Sequence, residues 1–215
     1  MFDILLQLLF PRYCIGCNRE GTSLCAICER TISTNTQVVG KGLATLYDYH
    51  HPLIKRGIWN LKYKNEATMG KYFGIALYRE FFKDMLTQSE HAREPLLLIP
   101  IPQKKNRFSL RRDNHAAIIA RAIAQYAQAD HLPIEIDEEI LLKVKDTKRQ
   151  VETVGKENRK ENIRDAFSVR HPERILGKNI ILIDDVITTG ATMNEARKTL
   201  NAYRPKRILG IAVAH

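Results

Sequence analysis

The sequence of 215 residues predicts an α/β protein with a parallel sheet, preceded by a small head that carries four cysteines. From about residue 43 onward, segments with the pattern of a strand alternate with helical segments, which is typical of a parallel sheet. Two apolar runs, 95–102 and 179–184, are continuous, as in strands buried on both faces. We expect two domains: an N-terminal helix and finger over 1–42, and the sheet over 43–215.

Composition indicates a globular protein with an anionic partner. Hydrophobic residues make up 44% of the chain and charged residues 27%. Lysine and arginine number 34 against 24 acids, a net charge of +10, which favours an anionic ligand or nucleic acid over a plain basic protein. The N-terminus has Asp3 where a signal peptide carries a cation, and no apolar run reaches the ~20 residues of a membrane span. We expect a cytoplasmic location and leave open an association with the cytoplasmic face of the membrane.

The cysteines follow the spacing C-x2-C-x7-C-x2-C within residues 14–28. Each C-x2-C pair can direct two sulfurs at one ion, and four thiolates give Zn²⁺ a closed, structural site. Two disulfides or free thiols are the alternatives, and a cytosolic location argues against disulfides. The predicted zinc ligands are Cys14, Cys17, Cys25 and Cys28.

Hydrophobic periodicity predicts the elements of the first half of the larger domain. Residues 43–49 alternate as a strand does, and 95–102 is an apolar run ended by prolines. Residues 53–63 and 69–86 carry apolar side chains at helical spacing. Trp59 stands among those apolar positions, so we expect it in the core.

The second half continues the alternation. The alanine-rich segment 114–129 is predicted to be a helix. Short strands are expected at 139–144 and 163–169, and the clearest strand is 179–184. A helix over 194–203 and a last strand over 207–215 complete the chain.

The segment 179–200, NIILIDDVITTGATMNEARKTL, carries the candidate site. Asp184 and Asp185 end the apolar strand, and 188–192 forms the turn into the next helix, where ligands of parallel sheets bind. The helix N-terminus favours an anion, and Gly190 allows the backbone to approach it closely. Threonine hydroxyls of the turn can donate to a phosphate, while the carboxylates can accept from vicinal hydroxyls. A ribose 5-phosphate combines both groups, and the chain has neither a P-loop nor a dinucleotide fingerprint.

Residues 180–192 resemble the phosphoribosyl pyrophosphate (PRPP) signature of type I phosphoribosyltransferases, in which two acids and T-T-G-x-T follow apolar residues. The resemblance implies that fold for the larger domain, with Mg²⁺ and PRPP as ligands. It also implies catalytic roles for Asp184, Asp185 and Arg159. The PRPP contacts that it implies are Asp184, Asp185, Thr188, Thr189, Gly190, Ala191, Thr192 and Lys104.

Motifs along nearly the whole chain resemble the ComF family of competence proteins. They are the cysteine head, LKY at 61–63, IPIP at 99–102 and the pattern RQ…R…N…AF within 149–167. The family implies natural transformation, with uptake and handling of incoming single-stranded DNA and competence proteins at the inner membrane as partners. At 111–116 this chain reads RRDNHA where the family has R-G-F-N-Q, so Arg112-Asp113 replaces the Gly-Phe pair and His115 replaces the glutamine.

The segment 103–112 holds five cations and no acid, and by the resemblance the turn just after IPIP is the pyrophosphate loop. A solvated basic loop is the alternative to a role in binding. The predicted contacts to single-stranded DNA are Lys104, Lys105, Arg107, Arg111 and Arg112. Two functions follow: DNA handling in transformation, or an active phosphoribosyltransferase that moves ribose 5-phosphate from PRPP to a nitrogen base. Turnover of PRPP stays open between them.

Overall fold

The computed structural model describes residues 11–64, 67–83, 95–103, 114–144 and 165–215. The helices are α1 (Ala26–Glu29), α2 (Pro52–Tyr63), α3 (Ala67–Phe81), α4 (His115–Ala129) and α5 (Ala191–Asn201), and Pro172–Arg174 forms a 3₁₀ turn. The strands are β1 (Gln37–Gly40), β2 (Leu43–Tyr47), β3 (Leu96–Pro100), β4 (Ile134–Ile136), β5 (Leu141–Lys143), β6 (Phe167–Val169), β7 (Asn179–Val186) and β8 (Arg207–Ala214).

In the described ranges the main sheet has six strands in the order β1-β2-β8-β7-β3-β4. All neighbours are parallel except β1, which runs antiparallel to β2 at the edge. β5 and β6 form a separate antiparallel pair. Because β7 lies inside the sheet, its residues are buried on both faces, in agreement with its apolar sequence.

Two apolar clusters lie on opposite faces of the sheet. Ile181 and Ile183 of β7 point to the face covered by α2, α3 and α4, while Ile180 and Leu182 point to the face covered by α5, β5 and β6. Side chains alternate along a strand, so each residue of β7 has a known face. The predicted α/β fold with a mostly parallel sheet is confirmed.

The differences from the expected elements lie at the edges. β1 and β4 were not anticipated, and β5 and β6 pair with each other outside the main sheet. The expected domain division after residue 42 falls in the turn between β1 and β2. The prediction that Trp59 is in the core is wrong, because its side chain is 50% exposed and the buried face of α2 is formed by other residues.

The head packs on α2. Ile15 is 7% exposed and belongs to the apolar cluster of the helical face, with Leu24 and Ile32 packed against that cluster. Arg56 of α2 donates a hydrogen bond to the carbonyl oxygen of Ile15. The finger and the sheet therefore share part of one core.

Among the described helices, none is both long enough and apolar enough to cross a membrane.

Candidate functional site

The two acids at the end of β7 point to opposite faces of the sheet. Asp185 shares the face of Ile181 and Ile183, and Asp184 shares the face of Leu182. Asp185 is 4% exposed, and its backbone N–H donates to Asp184 Oδ1 at 2.8 Å. The acids therefore have different surroundings, and they are not arranged to chelate one ion together.

Asp185 is held by groups from the helical layer. Lys62 of α2 places Nζ 2.9 Å from Oδ1, with 27% of the lysine side chain exposed. His115, the first residue of α4, places Nδ1 3.9 Å from Oδ2, and Gln103 Nε2 lies 2.9 Å from the same histidine nitrogen. Within the described residues, Oδ2 of Asp185 is buried without a hydrogen-bond partner. A buried acceptor of this kind is costly, and a ligand hydroxyl could satisfy it.

Asp184 has the opposite electrostatic character. Burial, followed by the neighbouring Asp185 carboxylate, raises the pKa of Asp184 to about 8, and the Asp185 N–H, Lys62 and Lys143 offset only part of their effect. Near neutral pH this carboxyl therefore carries a proton for much of the time. A cation or a hydroxyl donor at Asp184 would stabilise its ionised form.

The turn after β7 leads directly into α5. Thr188 and Thr189 are exposed, Thr189 Oγ1 lies 3.4 Å from the backbone N of Ala191, and Gly190 precedes the helix with φ +72°. That conformation favours glycine, and a Cβ there would lie 3.3 Å from Leu43. The first N–H groups of a helix lack intrahelical partners, so the turn presents donors and a positive dipole end to an anion.

Residues that flank the segment 104–113 also lie at the carboxyl end of β7. Ile101 donates its N–H to the carbonyl of Ile183 at 2.8 Å, which extends β3 beside the end of β7. Asn114 caps α4 by accepting from the Ala116 N–H at 3.1 Å and donates to the Ile101 carbonyl at 3.0 Å. Gln103 and Asn114 therefore both lie near the carboxyl end of β7.

Several predicted site residues lie outside the described ranges. They are Arg159 and the five cations Lys104, Lys105, Arg107, Arg111 and Arg112. The structure brings Asp184, Asp185 and the 188–192 turn together, and these six residues remain predictions.

The four cysteines form a second candidate site. Their sulfurs all lie within 4.8 Å of one another, and those of Cys17 and Cys25 are 3.6 Å apart. A tetrahedral zinc with Zn–S bonds of about 2.3 Å requires sulfurs about 3.8 Å apart. Glycine at position 16 allows the first C-x2-C turn to lie close to Cys28, because a Cβ at Gly16 would lie 2.6 Å from Cys28 Sγ. The cluster could bind a metal such as zinc.

Thiol electrostatics agree with a cation site. Burial alone raises the pKa of Cys14, but N–H groups of Cys17, Cys25 and Gly16 outweigh it and lower that pKa to about 6. Burial, followed by the three neighbouring sulfurs, raises the pKa of Cys28 to about 12. Four thiolates this close would repel one another, so full ionisation requires a cation between them.

Comparison with known families agrees with the site on β7. Residues 113–215 match the model of the phosphoribosyl transferase domain. This part of the chain is therefore similar to phosphoribosyl transferase domains. The match includes both acids and the 188–192 turn, whereas Lys62 and the cysteines lie before it.

A curated relative is similar over a longer part of the chain. Competence protein F of Haemophilus influenzae (strain ATCC 51907 / DSM 11121 / KW20 / Rd) is 25% identical over 199 residues, 87% of this chain and 83% of that protein. The resemblance to the ComF family is thus confirmed.

Solved structures were also matched. Glutamine PRPP amidotransferase from B. subtilis, complexed with ADP and GMP, is 19% identical with a TM-score of 0.36 over 66% of this chain and 25% of that one. Hypoxanthine-guanine phosphoribosyl transferase of L. donovani is 10% identical with a TM-score of 0.38 over 66% of this chain and 64% of that one. This chain therefore spans less than two thirds of the length of either structure.

Sequence reasoning missed the partners of Asp185. Lys62 was noticed only as part of the LKY motif, and His115 only as a departure from the family pattern. No local pattern connects either residue with an acid so distant in the chain. The sequence shows only that Lys62 lies near the end of a predicted helix and that Asp185 ends an apolar strand. Lysines at helix ends are common, so this signal does not identify the pair.

Proposed function

We propose that the protein binds PRPP or a related ribose phosphate at the carboxyl end of β7. The observation that supports this most directly is the unsatisfied Oδ2 of Asp185, at the end of the strand that leads into the Gly190 turn and α5. The turn offers donors to the 5-phosphate, and the acids accept from the ribose hydroxyls. On binding, a hydroxyl would satisfy Asp185 Oδ2 while Lys62 keeps Oδ1 paired.

Mg²⁺ fits as a companion of the ligand. Magnesium prefers phosphate oxygens, waters and one or two carboxylates over a cage of protein ligands. Asp184 offers such a carboxylate, and a cation there would offset its burial. When bound, Mg²⁺ would neutralise the diphosphate, and the cations Lys104 to Arg112 would add to that effect.

We further propose that the protein is a ComF-type competence protein that handles incoming single-stranded DNA. Similarity to competence protein F over 87% of the chain supports it, as does the net charge of +10. The predicted DNA contacts are the five cations of 104–112. The role places the protein in the cytoplasm, with competence proteins at the inner membrane as partners.

The second candidate is an active phosphoribosyltransferase. The acid pair and the turn favour it, because stabilisation of departing pyrophosphate and of an oxocarbenium-like ribose needs the same groups. Pyrophosphate release from PRPP and Mg²⁺ with pooled bases or oligonucleotides tests this reading. Release above background would favour turnover.

Calorimetry tests the ligand site. Asp184→Asn with Asp185→Asn removes the charges at nearly constant shape but leaves the phosphate turn intact. We expect PRPP binding to be lost and inorganic phosphate binding to be kept. Equal loss of both ligands would contradict the proposed separation of ribose and phosphate contacts.

Transformation frequency tests the cellular role. A strain with all five cations of 104–112 replaced by serine, and a strain with both acids replaced, should each fail to transform. Salt dependence of binding should flatten in the first variant, since each phosphate contact adds about −0.7 to the log–log slope. Normal transformation in both strains would favour a salvage enzyme.

A further inference from the structure

Helix α2 exposes an aromatic and cationic face. Lys55, Trp59 and Tyr63 follow one another at intervals of four residues and are all exposed, Trp59 to 50% and Tyr63 to 49%. Residues of the opposite face, Ile54 and Ile58, are 1% exposed. The exposed face is therefore not required to complete the core.

The two rings form one surface with a cation. The ring centroids of Trp59 and Tyr63 are 5.5 Å apart with planes inclined by 43°. Lys64 places Nζ 5.7 Å from the centroid of the Trp59 ring. Exposure of large aromatic rings to water is unfavourable, so burial of these rings under a ligand would stabilise the complex.

Charge on this segment has a single sign. Residues 52–64 contain four cations and no acid, namely Lys55, Arg56, Lys62 and Lys64. Lys62 is the residue that pairs with Asp185, so this segment of α2 lies next to the carboxyl end of β7, where the ligand site is proposed. Trp59 lies three residues earlier, about 4.5 Å along the helix axis.

Aromatic rings among cations suit single-stranded nucleic acid. Unpaired bases stack on aromatic side chains with little sequence preference, while cations contact the backbone phosphates. A duplex keeps its base faces covered. A membrane surface suits the face less well, because an interfacial helix buries a wide aliphatic face and here Ile54, Ile58 and Leu61 point into the protein.

We propose that the exposed face of α2 is a stacking platform for single-stranded nucleic acid. Bases stack on Trp59 and Tyr63, and backbone phosphates contact Lys55 and Lys64. This inference rests on the proposed handling of single-stranded DNA and adds a surface distinct from the basic run 104–112. The platform places the strand beside Asp185.

Trp59 is the single tryptophan of the chain, so it reports on its own surface. Titration with a labelled oligothymidylate of about 20 nucleotides, followed by anisotropy and by tryptophan fluorescence, should show quenching that parallels binding. Oligoadenylate should behave alike, because stacking is sequence-tolerant.

Variants separate stacking from charge. Trp59→Ala and Tyr63→Ala should each weaken binding by roughly five- to a hundredfold, the range that loss of one base stack gives. Trp59→Phe should keep most of the affinity. Tyr203→Ala is the matched control, because Tyr203 is also exposed but follows α5, near the start of β8 and thus at the opposite edge of the sheet. Circular dichroism and melting temperature check that each variant is folded.

The outcomes distinguish this inference from the proposed function. Oligonucleotide binding by anisotropy with no quenching, and with unchanged affinity in Trp59→Ala and Tyr63→Ala, would overturn the platform and leave DNA handling intact. Absence of any oligonucleotide binding to the wild-type protein would overturn both. Blue-shifted Trp59 emission with anionic phospholipid vesicles, without oligonucleotide binding, would assign the face to a membrane surface instead.

Discussion

The ion pair between Lys62 and Asp185 predicts a pH-dependent loss of stability when the cation is removed. Lys62→Met keeps the apolar stem of the side chain and deletes the charge 2.9 Å from a carboxylate that is 6% exposed. Loss of one partner of a buried pair costs about 3–5 kcal/mol. Because 27% of the Lys62 side chain is exposed, water screens part of the interaction, and we expect ~2–3 kcal/mol at pH 7.5.

The stability deficit of Lys62→Met should depend on pH. Without Lys62 a buried carboxylate is left without its cation, and an unpaired buried charge costs more than a neutral carboxyl, so the variant should lose stability as pH increases from ~4. The deficit should therefore be small near pH 4 and largest near pH 7.5. Urea unfolding followed by circular dichroism measures it at both values.

A double-mutant cycle supplies the control. Asp185→Asn removes the charge that Lys62 compensates, so Lys62→Met should cost much less in that background. A coupling free energy of about 2 kcal/mol is expected, against the ~0.5 kcal/mol of independent sites. A deficit that is equal at pH 4 and 7.5, or additive mutations, would refute the reasoning.

Three further predictions concern the head, the acid pair and the turn. Cys25→Ser should abolish zinc binding and lower the melting temperature of the whole protein, because Ile15 of the head packs in the main core. Metal analysis and calorimetry check this, and wild-type protein that contains no zinc when purified without chelator would contradict it. Asp184→Asn should raise stability by ~1–3 kcal/mol at pH 7.5 and by less at pH 4, because a carboxyl whose folded pKa is raised loses stability as pH rises; urea unfolding at both values tests it. Gly190→Ala should lower the free energy of unfolding by ~1–2 kcal/mol and weaken phosphate binding. Gly177 also has a positive φ but faces open space, so Gly177→Ala should lower stability without changing phosphate binding. Calorimetry with phosphate distinguishes the two variants.

Local pattern was sufficient for the central elements. β7 is apolar because both of its faces are buried, and an inner strand of a parallel sheet leaves few polar positions before its end. The acids and the Gly190 turn follow at once, so strand, site and helix start are encoded within one short segment. The cysteine spacing is informative because it is also local: two residues between a pair of cysteines allow both sulfurs to bind one ion.

Local pattern was not sufficient where the partner is distant. β5 and β6 have the sequence of ordinary short strands, and only packing directs them to each other instead of to the main sheet. Helical spacing identified α2, but the orientation of Trp59 depends on which side meets α3 and the sheet. A periodic pattern defines a helix, whereas its phase is settled by what it packs against.

The amino-acid pattern alone thus indicated a parallel α/β fold, a four-cysteine head and an acid pair before an anion-binding turn, because each is encoded by neighbouring residues. Tertiary structure was needed to place Lys62 and His115 on Asp185 and to separate the surroundings of Asp184 and Asp185. Their electrostatics depend on burial and on charges from other helices, which no local sequence window contains.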